Sequence, residues 1–347
     1  MTVARAYAAH TASSPLAPFE IARRDAGPHD VEIAIDWCGV CHSDVHQARD
    51  EWGGSLFPMV PGHEIVGRVV RAGSAVTKLR AGDLAGVGCM VDSCRTCESC
   101  RKDLEQFCAK TAAWTYNGTE MDRRTPTYGG YSSAIVVDER FVLRIAPGQD
   151  AAAVAPLLCA GITTWSPLRR WRVGEGSRVA VVGLGGLGHM AVKLAVSLGA
   201  EVTLLSTSAA KERDARRLGA HEFALTSAQG AFRKLAGRFD LVLDTASAPH
   251  DLNDYLGTLR VDGAMVLVGV PPDAAPVRAF SLIGGRRSLA GSLIGGIAET
   301  QEMLDWCAAR KIAADVEVIP IQRINEAYER MVRGDVRYRF VIDLATL

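Results

Sequence analysis

The sequence predicts an α/β fold in two parts, a β-rich region with long loops followed by a doubly wound parallel sheet. Three observations carry this. Gly and Pro punctuate the chain heavily up to about residue 150, between short runs of alternating apolar residues. Beyond that point strand-like and helix-like segments take turns, the pattern of a parallel sheet with helices on both faces. Finally, 347 residues, 48% of them hydrophobic, are more than one ordinary core holds.

The elements follow in order. DVEIAID (residues 30–36) alternates apolar and polar side chains, as a half-buried strand does. EIVGRVV (64–70) and the Val- and Ile-rich stretch 134–145 read as further strands. DAAAVAPLLCAGITTWSPL reads as helical. RVAVVG is a short buried strand, followed by a Gly-rich turn and the helix GHMAVKLAVSLGA. EVTLLS and AAKERDARRLGA form the next strand–helix pair, and FDLVLDTA and AMVLVGV repeat the strand pattern. After about residue 292 come a helix (ETQEMLDWCAARK), a strand (DVEVIP), a helix (INEAYERMVRG) and a final strand (RYRFVID).

Formal net charge is zero, so nothing favours a nucleic-acid or anionic-membrane partner, either of which would need an excess of Lys and Arg. The N-terminal residues lack the apolar stretch of a signal peptide, and runs such as MAVKLAVSL stop well short of the ~20 residues that span a bilayer. A soluble, cytoplasmic protein is expected. Its nine cysteines then need a use other than disulfides, because cytosolic thiols stay reduced.

CRTCESCRKDLEQFC places Cys94, Cys97, Cys100 and Cys108 at C-x2-C-x2-C-x7-C. Such a loop can wrap four thiolates around one tetrahedral zinc, leaving no position for substrate, so the site would be structural. An iron–sulfur cluster is the competing reading. The flanking charges balance: Arg95, Arg101, Lys102 and Lys110 against Asp92, Glu98, Asp103 and Glu105. Backbone N–H groups are therefore expected to stabilise the sulfurs.

VVGLGGLG carries G-x-G-x-x-G as Gly183, Gly185 and Gly188, with Leu184, Gly186 and Leu187 between them. It follows a strand and opens a helix, the context in which such a loop cradles a pyrophosphate. The next strand decides between cofactors. An acidic residue at its end would bind the adenosine ribose of NAD. Here Glu201 stands at the start, and Ser206, Thr207 and Ser208 occupy the tip, with Lys211 and Arg213 beyond. Hydroxyls and cations suit a 2′-phosphate, so NADP(H) is expected.

CGVCHSDVH, PGHE and PLLCAGIT each hold a further metal-binding side chain: Cys41, His63 and Cys159. Two thiolates and one imidazole are a set known for catalytic zinc with one open position. Spacing alone would not select these three, since a lone buried Cys or His is more often part of the core.

The chain resembles the zinc-containing medium-chain alcohol dehydrogenases, in the cinnamyl-alcohol-dehydrogenase-like branch with its bacterial NADPH-dependent aldehyde reductases. The resemblance rests on CGVCHSDVHQ, MVPGHEIVGRV, GVGCMVDSCRTCESC, PLLCAGITTWSPL, GLGGLGHMAVKLA, GSLIGGIAETQEMLDW and DVRYRFVID, which span nearly the whole chain in order. Leu84 and Ala85 depart from the family, where a basic residue and Val are common.

The resemblance implies a GroES-like catalytic domain, 1–155 with a zinc lobe at 89–110, a Rossmann NADP-binding insert at 156–292 and a C-terminal return at 293–347. It implies two zinc ions per subunit. Cys41, His63 and Cys159 match the catalytic ligands, with Glu64 able to replace water on the metal, and the four lobe cysteines match the structural site. Asp44 matches the carboxylate that orients the ligand His, Ser43 the hydroxyl that passes a proton, and His46 the outer end of that relay. Ser43 and Asp44 could equally cap a helix starting near Val45.

Thr163 matches a position lining the nicotinamide, and Thr245, Gly269, Ser292, Leu293 and Ile294 complete the expected cofactor contacts. Trp52, Trp114, Leu293 and Ile294 fall where members line the substrate cleft, and two tryptophans suit an aromatic or cinnamyl-type aldehyde. Cys38, Cys89 and Cys307 are expected to hold no metal. The implied reaction is reversible reduction of an aldehyde to a primary alcohol by NADPH, in a homodimer. The alternative is a non-catalytic or specialised relative that binds NADPH and zinc and takes a bulky substrate.

Overall fold

The computed structural model describes residues 2–347. They divide into two compact units: residues up to Cys159 together with Gly295–Leu347, and Ala160–Ile294.

The first unit is built on a seven-stranded sheet. Its neighbours run Leu143–Arg144, Leu84–Val87, Ile65–Ala72, Asp30–Gly39, Arg339–Asp343 and Val316–Pro320, with Ala134–Asp138 also pairing to Asp30–Gly39. A separate antiparallel pair joins Thr2–Ala8 to Ala17–Arg23. Burial follows the alternation seen in the sequence: Val31, Ile33 and Ile35 point inward, and Val66 and Val69 pack from the neighbouring strand.

The register matters for function. Cys38 faces Ile65 across one antiparallel pair, and Gly39 faces Val341 across another. One strand therefore leads into Cys41, the second begins just after Glu64, and the third begins at Arg339, all at the same end of the sheet.

Two segments differ from expectation. Residues 134–145 do not form one strand. Asp138 accepts a hydrogen bond from Arg140 N and turns the chain through the 3₁₀ turn Glu139–Phe141 before the short strand Leu143–Arg144. The helical stretch after residue 150 is broken as well. Helix Ala151–Val154 passes into the 3₁₀ turn Ala155–Leu158 at Pro156, and helix Ala160–Arg170 starts only after Cys159. Cys159, at φ −130°, ψ −66°, lies in that break.

The second unit is a six-stranded parallel sheet in the order Glu222–Leu225, Glu201–Ser206, Arg178–Val182, Phe239–Asp244, Leu259–Leu267 and Ser288–Gly291. Numbered along the unit this is 3-2-1-4-5-6, the Rossmann order. Val179, Val181, Val202, Leu204, Val242 and Leu243 are all fully buried, as strands covered on both faces require. No single helix among the described residues is long and apolar enough to cross a membrane.

Candidate active site

Cys41, His63, Glu64 and Cys159 meet at the end of the first unit's sheet. One ligand atom from each lies within 4.8 Å of the other three, and all four residues are buried. The local causes are legible. Cys41 precedes helix His42–Ala48, and the carboxylate of Asp44 in its first turn accepts from Cys41 N at 2.8 Å. His63 and Glu64 end the turn that enters strand Ile65–Ala72. Gly39 is required opposite them, because a Cβ there would lie 1.9 Å from Glu64 Oε2.

Asp44 is fully buried, and it both caps and orients. Besides Cys41 N it accepts from Gly62 N at 3.1 Å, and its Oδ1 lies 3.1 Å from His63 Nδ1. A carboxylate only accepts, so Nδ1 carries the proton and Nε2 keeps its lone pair for a metal. Tyr116 stacks on the His63 ring at 5.6 Å. Ser43 Oγ lies 3.6 Å from Cys41 Sγ.

Arg339 is the cation of the site. It is 4% exposed and ion-paired to Glu64 Oε1, while Glu64 Oε2 is buried without a hydrogen-bond partner. Burial alone would lower the guanidinium pKa, but Glu64 and the thiols of Cys41 and Cys159 outweigh it, and Arg339 stays charged. The Cys41 thiol is held well below the ordinary range by the Cys159 thiol that donates to it, and Cys159 is raised correspondingly.

This donor set fits zinc: two soft sulfurs, one imidazole with its free nitrogen defined, and an acidic oxygen with no other partner. The lobe fits as well. Cys97 Sγ lies 3.4 Å and Cys94 Sγ 3.9 Å from Cys100 Sγ. A tetrahedron with metal–sulfur arms of about 2.3 Å has edges of about 3.8 Å. An iron–sulfur cluster, with several irons between its cysteines, would hold the sulfurs further apart. The expected backbone donors are present: Cys94 N to Cys108 Sγ, Cys97 N to Cys94 Sγ and Ala109 N to Cys97 Sγ, each 3.4 Å. Those from Thr96 and Cys97 lower the Cys94 thiol to about 6.

Cys307 is buried, and so is Cys38, which takes a backbone hydrogen bond from Glu64 beside the buried cluster; Cys89 is partly exposed, with its Sγ 3.9 Å from Leu158 O. His46 stacks under Trp52 at 4.8 Å and is hydrogen-bonded through Nδ1 to Glu51, a partner the sequence reading missed. Glu51 lies five residues after His46, beyond the end of helix His42–Ala48, so helical spacing gave no signal for the pair. Trp52 is 47% exposed, and Trp114 is half-buried in a short strand opposite Met90.

In the second unit, Gly183 takes φ +87° as strand Arg178–Val182 ends. Gly188 opens helix Gly188–Ser197 so close to it that a Cβ would meet Gly183 O at 2.1 Å. Leu184 is buried, Leu187 precedes the helix, and nothing lies within 4 Å of a Cβ on Gly185, so a ligand can approach the backbone there. Thr245 Oγ1 bonds Val182 O at 2.7 Å, at the point where strand order reverses. Gly269 is pressed against Ala246, whose carbonyl oxygen would lie 2.3 Å from a Cβ.

Glu201 starts its strand and Ser206 ends it. Ser206 Oγ accepts from Ser208 N at 3.2 Å, and Lys211 N reaches back to Ser208 O at 3.2 Å. Thr207 and Ser208 are exposed. Thr163 is buried in helix Ala160–Arg170, Ser292 N bonds Leu267 O, Leu293 is 47% exposed, and Ile294 is buried at φ +38°.

Residues 27–147 match the family model of the alcohol dehydrogenase GroES-like domain, and residues 186–309 that of the zinc-binding dehydrogenases. The chain is 56% identical to NADP-dependent alcohol dehydrogenase C 1 of Mycolicibacterium smegmatis, covering 100% of this chain and 99% of the relative. It is 55% identical to aldehyde reductase YahK of Escherichia coli, over 99% of each. A cinnamyl alcohol dehydrogenase from Sorghum bicolor superposes with a TM-score of 0.96 at 41% identity, covering 99% of this chain and 98% of that one. The chain belongs to the zinc-containing medium-chain alcohol dehydrogenases, in the branch of the cinnamyl alcohol dehydrogenases.

Proposed function

We propose that this enzyme reduces aldehydes to primary alcohols with NADPH, reversibly, with zinc held by Cys41, His63 and Cys159. The carrying observation is the buried convergence of those three side chains beside Glu64, with Asp44 fixing the His63 tautomer. Zinc there supplies a Lewis acid for a carbonyl oxygen, and NADPH supplies the hydride.

The chain's own groups do the rest. Asp44 keeps His63 oriented, and Arg339 holds one oxygen of Glu64 while the other stays available to the metal. Ser43, beside Cys41, gives its Oγ proton to the oxygen of the reduced substrate. His46, backed by Glu51, returns a proton from solvent. Trp52 and Trp114 offer flat apolar faces, which favours aromatic and cinnamyl-type aldehydes.

The cofactor reading assigns the metal chemistry to the first unit and NADPH to the second. Gly183–Gly188 would bind the pyrophosphate, Ser206, Thr207, Ser208 and Lys211 the 2′-phosphate, and Thr163, Thr245, Gly269, Ser292, Leu293 and Ile294 the nicotinamide end. Supporting it, no acidic side chain stands at the end of strand Glu201–Ser206. The ratio of kcat/KM for NADPH over NADH tests it. A strong preference for NADPH that collapses in Lys211→Glu is expected, and a preference for NADH contradicts it.

The same reading includes a cytoplasmic homodimer. Nine cysteines with no disulfide among them fit a reducing compartment. Strand Ser288–Gly291 is an open sheet edge, and Phe280 and Ile283, 80% and 67% exposed, lie in the helix just before it. A second copy would cover them. Sedimentation of wild type and Phe280→Asp checks this, a monomeric wild type being the contrary result.

A further inference from the structure

The segment TYGGYSS, residues 127–133, has no part in the function above, yet it is bonded rung by rung to the turn that presents His63. Gly129 N donates to Val60 O at 2.8 Å, Gly130 N to Gly62 O at 2.9 Å and Tyr131 N to Pro61 O at 3.0 Å. The glycines make this possible. A Cβ on Gly129 would lie 2.3 Å from Pro61 O, and one on Gly62, at φ +103°, would lie 2.7 Å from the Tyr131 ring. Arg23, itself buried, locks the far side of the segment by donating to Tyr128 O, Gly129 O, Ser132 Oγ and Ala134 O at 2.6–3.0 Å.

What the segment delivers is the hydroxyl of Tyr131, fully buried and 3.2 Å from Asp44 Oδ2. Asp44 then has four donors: Gly62 N and His63 Nδ1 on one oxygen, Cys41 N and Tyr131 Oη on the other. A carboxylate has about four lone-pair sites, so the Tyr131 O–H fills the last. Because Asp44 cannot donate, Tyr131 must, and its oxygen is left to accept from Tyr328 Oη, 3.5 Å away in helix Ile324–Val332. The direction of each proton from Tyr328 to His63 is thereby set.

We propose that Tyr131, supported by Tyr328, is a positioning residue for the metal ligand His63, acting through Asp44. Without its hydroxyl the Asp44 carboxylate keeps one buried oxygen half-satisfied and is free to rock, and the imidazole follows it. The proposal rests on the catalytic-zinc reading above.

The test uses the lobe zinc as internal reference. A chromophoric chelator is added to the zinc-loaded enzyme and release is followed in time. A Cys41→Ser variant, holding only the lobe metal, identifies that phase. Tyr131→Phe is expected to release the catalytic zinc about tenfold faster and the lobe zinc at the wild-type rate. Tyr328→Phe is expected to accelerate the same phase by about two- to fivefold. In an Asp44→Asn background Tyr131→Phe should add nothing.

Wild-type release of the catalytic zinc in both tyrosine variants overturns the proposal alone. So does equal acceleration of both phases, which would mean general loosening. A wild-type protein with a single zinc, in the lobe, overturns the catalytic-zinc reading along with it. Should Tyr131→Phe fail to fold, Tyr328→Phe carries the same comparison.

Discussion

The lobe takes its four sulfurs from fifteen consecutive residues and holds them with backbone N–H groups of the same loop. The buried cluster draws Cys41, His63 and Cys159 from three separate stretches of chain and braces them with the side chains of Asp44, Arg339 and, behind Asp44, Tyr131. Two lobe ligands are partly exposed, whereas every member of the catalytic cluster is buried. A loop that closes on its own metal needs no supporting shell. A site that must keep a position open cannot be held by its metal alone, and the sheet end, a buried ion pair and a filled carboxylate hold it instead. The lobe should therefore serve stability and the buried cluster turnover.

The sharpest break would come from the buried side. Cys159→Ala should lower kcat on the order of 10³-fold, as loss of several kcal/mol of transition-state stabilisation implies, while NADPH binding persists and the lobe zinc remains. Steady-state kinetics, NADPH fluorescence and zinc analysis check this, and near-normal turnover would move the chemistry elsewhere.

The opposite substitution, Cys97→Ser, should cost a few kcal/mol of metal-linked stability and lower Tm by roughly 5–10 °C. Turnover per folded molecule, measured well below Tm, should stay close to wild type. A lobe variant that melts normally but has lost activity would erase the division of labour.

The smallest effect concerns pH, in a region that holds neither metal. His250 Nε2 lies 2.9 Å from the buried Asp244, and this hydrogen bond raises the imidazole pKa above its usual ~6.5. The folded-state pKa is the higher one, so the pair's contribution is complete below ~6.5 and fades as pH rises through the raised value. With both zinc sites saturated, Tm of the wild type should therefore decline over that window by an amount equivalent to less than about 1 kcal/mol. His250→Gln should flatten the decline, and an unchanged slope would place the titration in another group.

The same contrast explains what was legible in the sequence. The lobe could be read from spacing because its geometry is local, and so could the turn at Gly183, Gly185 and Gly188, where a missing Cβ allows the helix to approach. Cys41, His63 and Cys159 could not be chosen from spacing, since a sheet register and a broken helix bring them together. Only the resemblance to a family selected them. Arg339 and Tyr131 had no readable role for the same reason, both reaching the site across the sheet or along a paired turn. Glu51 was hidden too, since it meets His46 five residues on, past the end of the helix, where no helical spacing applies. The breaks at Asp138 and Cys159 were hidden because a turn and a helix start share the apolar composition of what surrounds them.

If the buried cluster is the reaction centre, NADPH-dependent aldehyde reduction requires its zinc. The direct measurement is loss of NADPH absorbance with cinnamaldehyde, benzaldehyde, hexanal and a small ketone, before and after a zinc chelator, with released zinc counted in the same samples. Turnover should rank the aromatic aldehydes first and disappear as the Cys41–His63–Cys159 zinc leaves, even while the lobe zinc remains. Turnover that survives removal of the Cys41–His63–Cys159 zinc, or none on any of these substrates from fully zinc-loaded protein that binds NADPH, would contradict this.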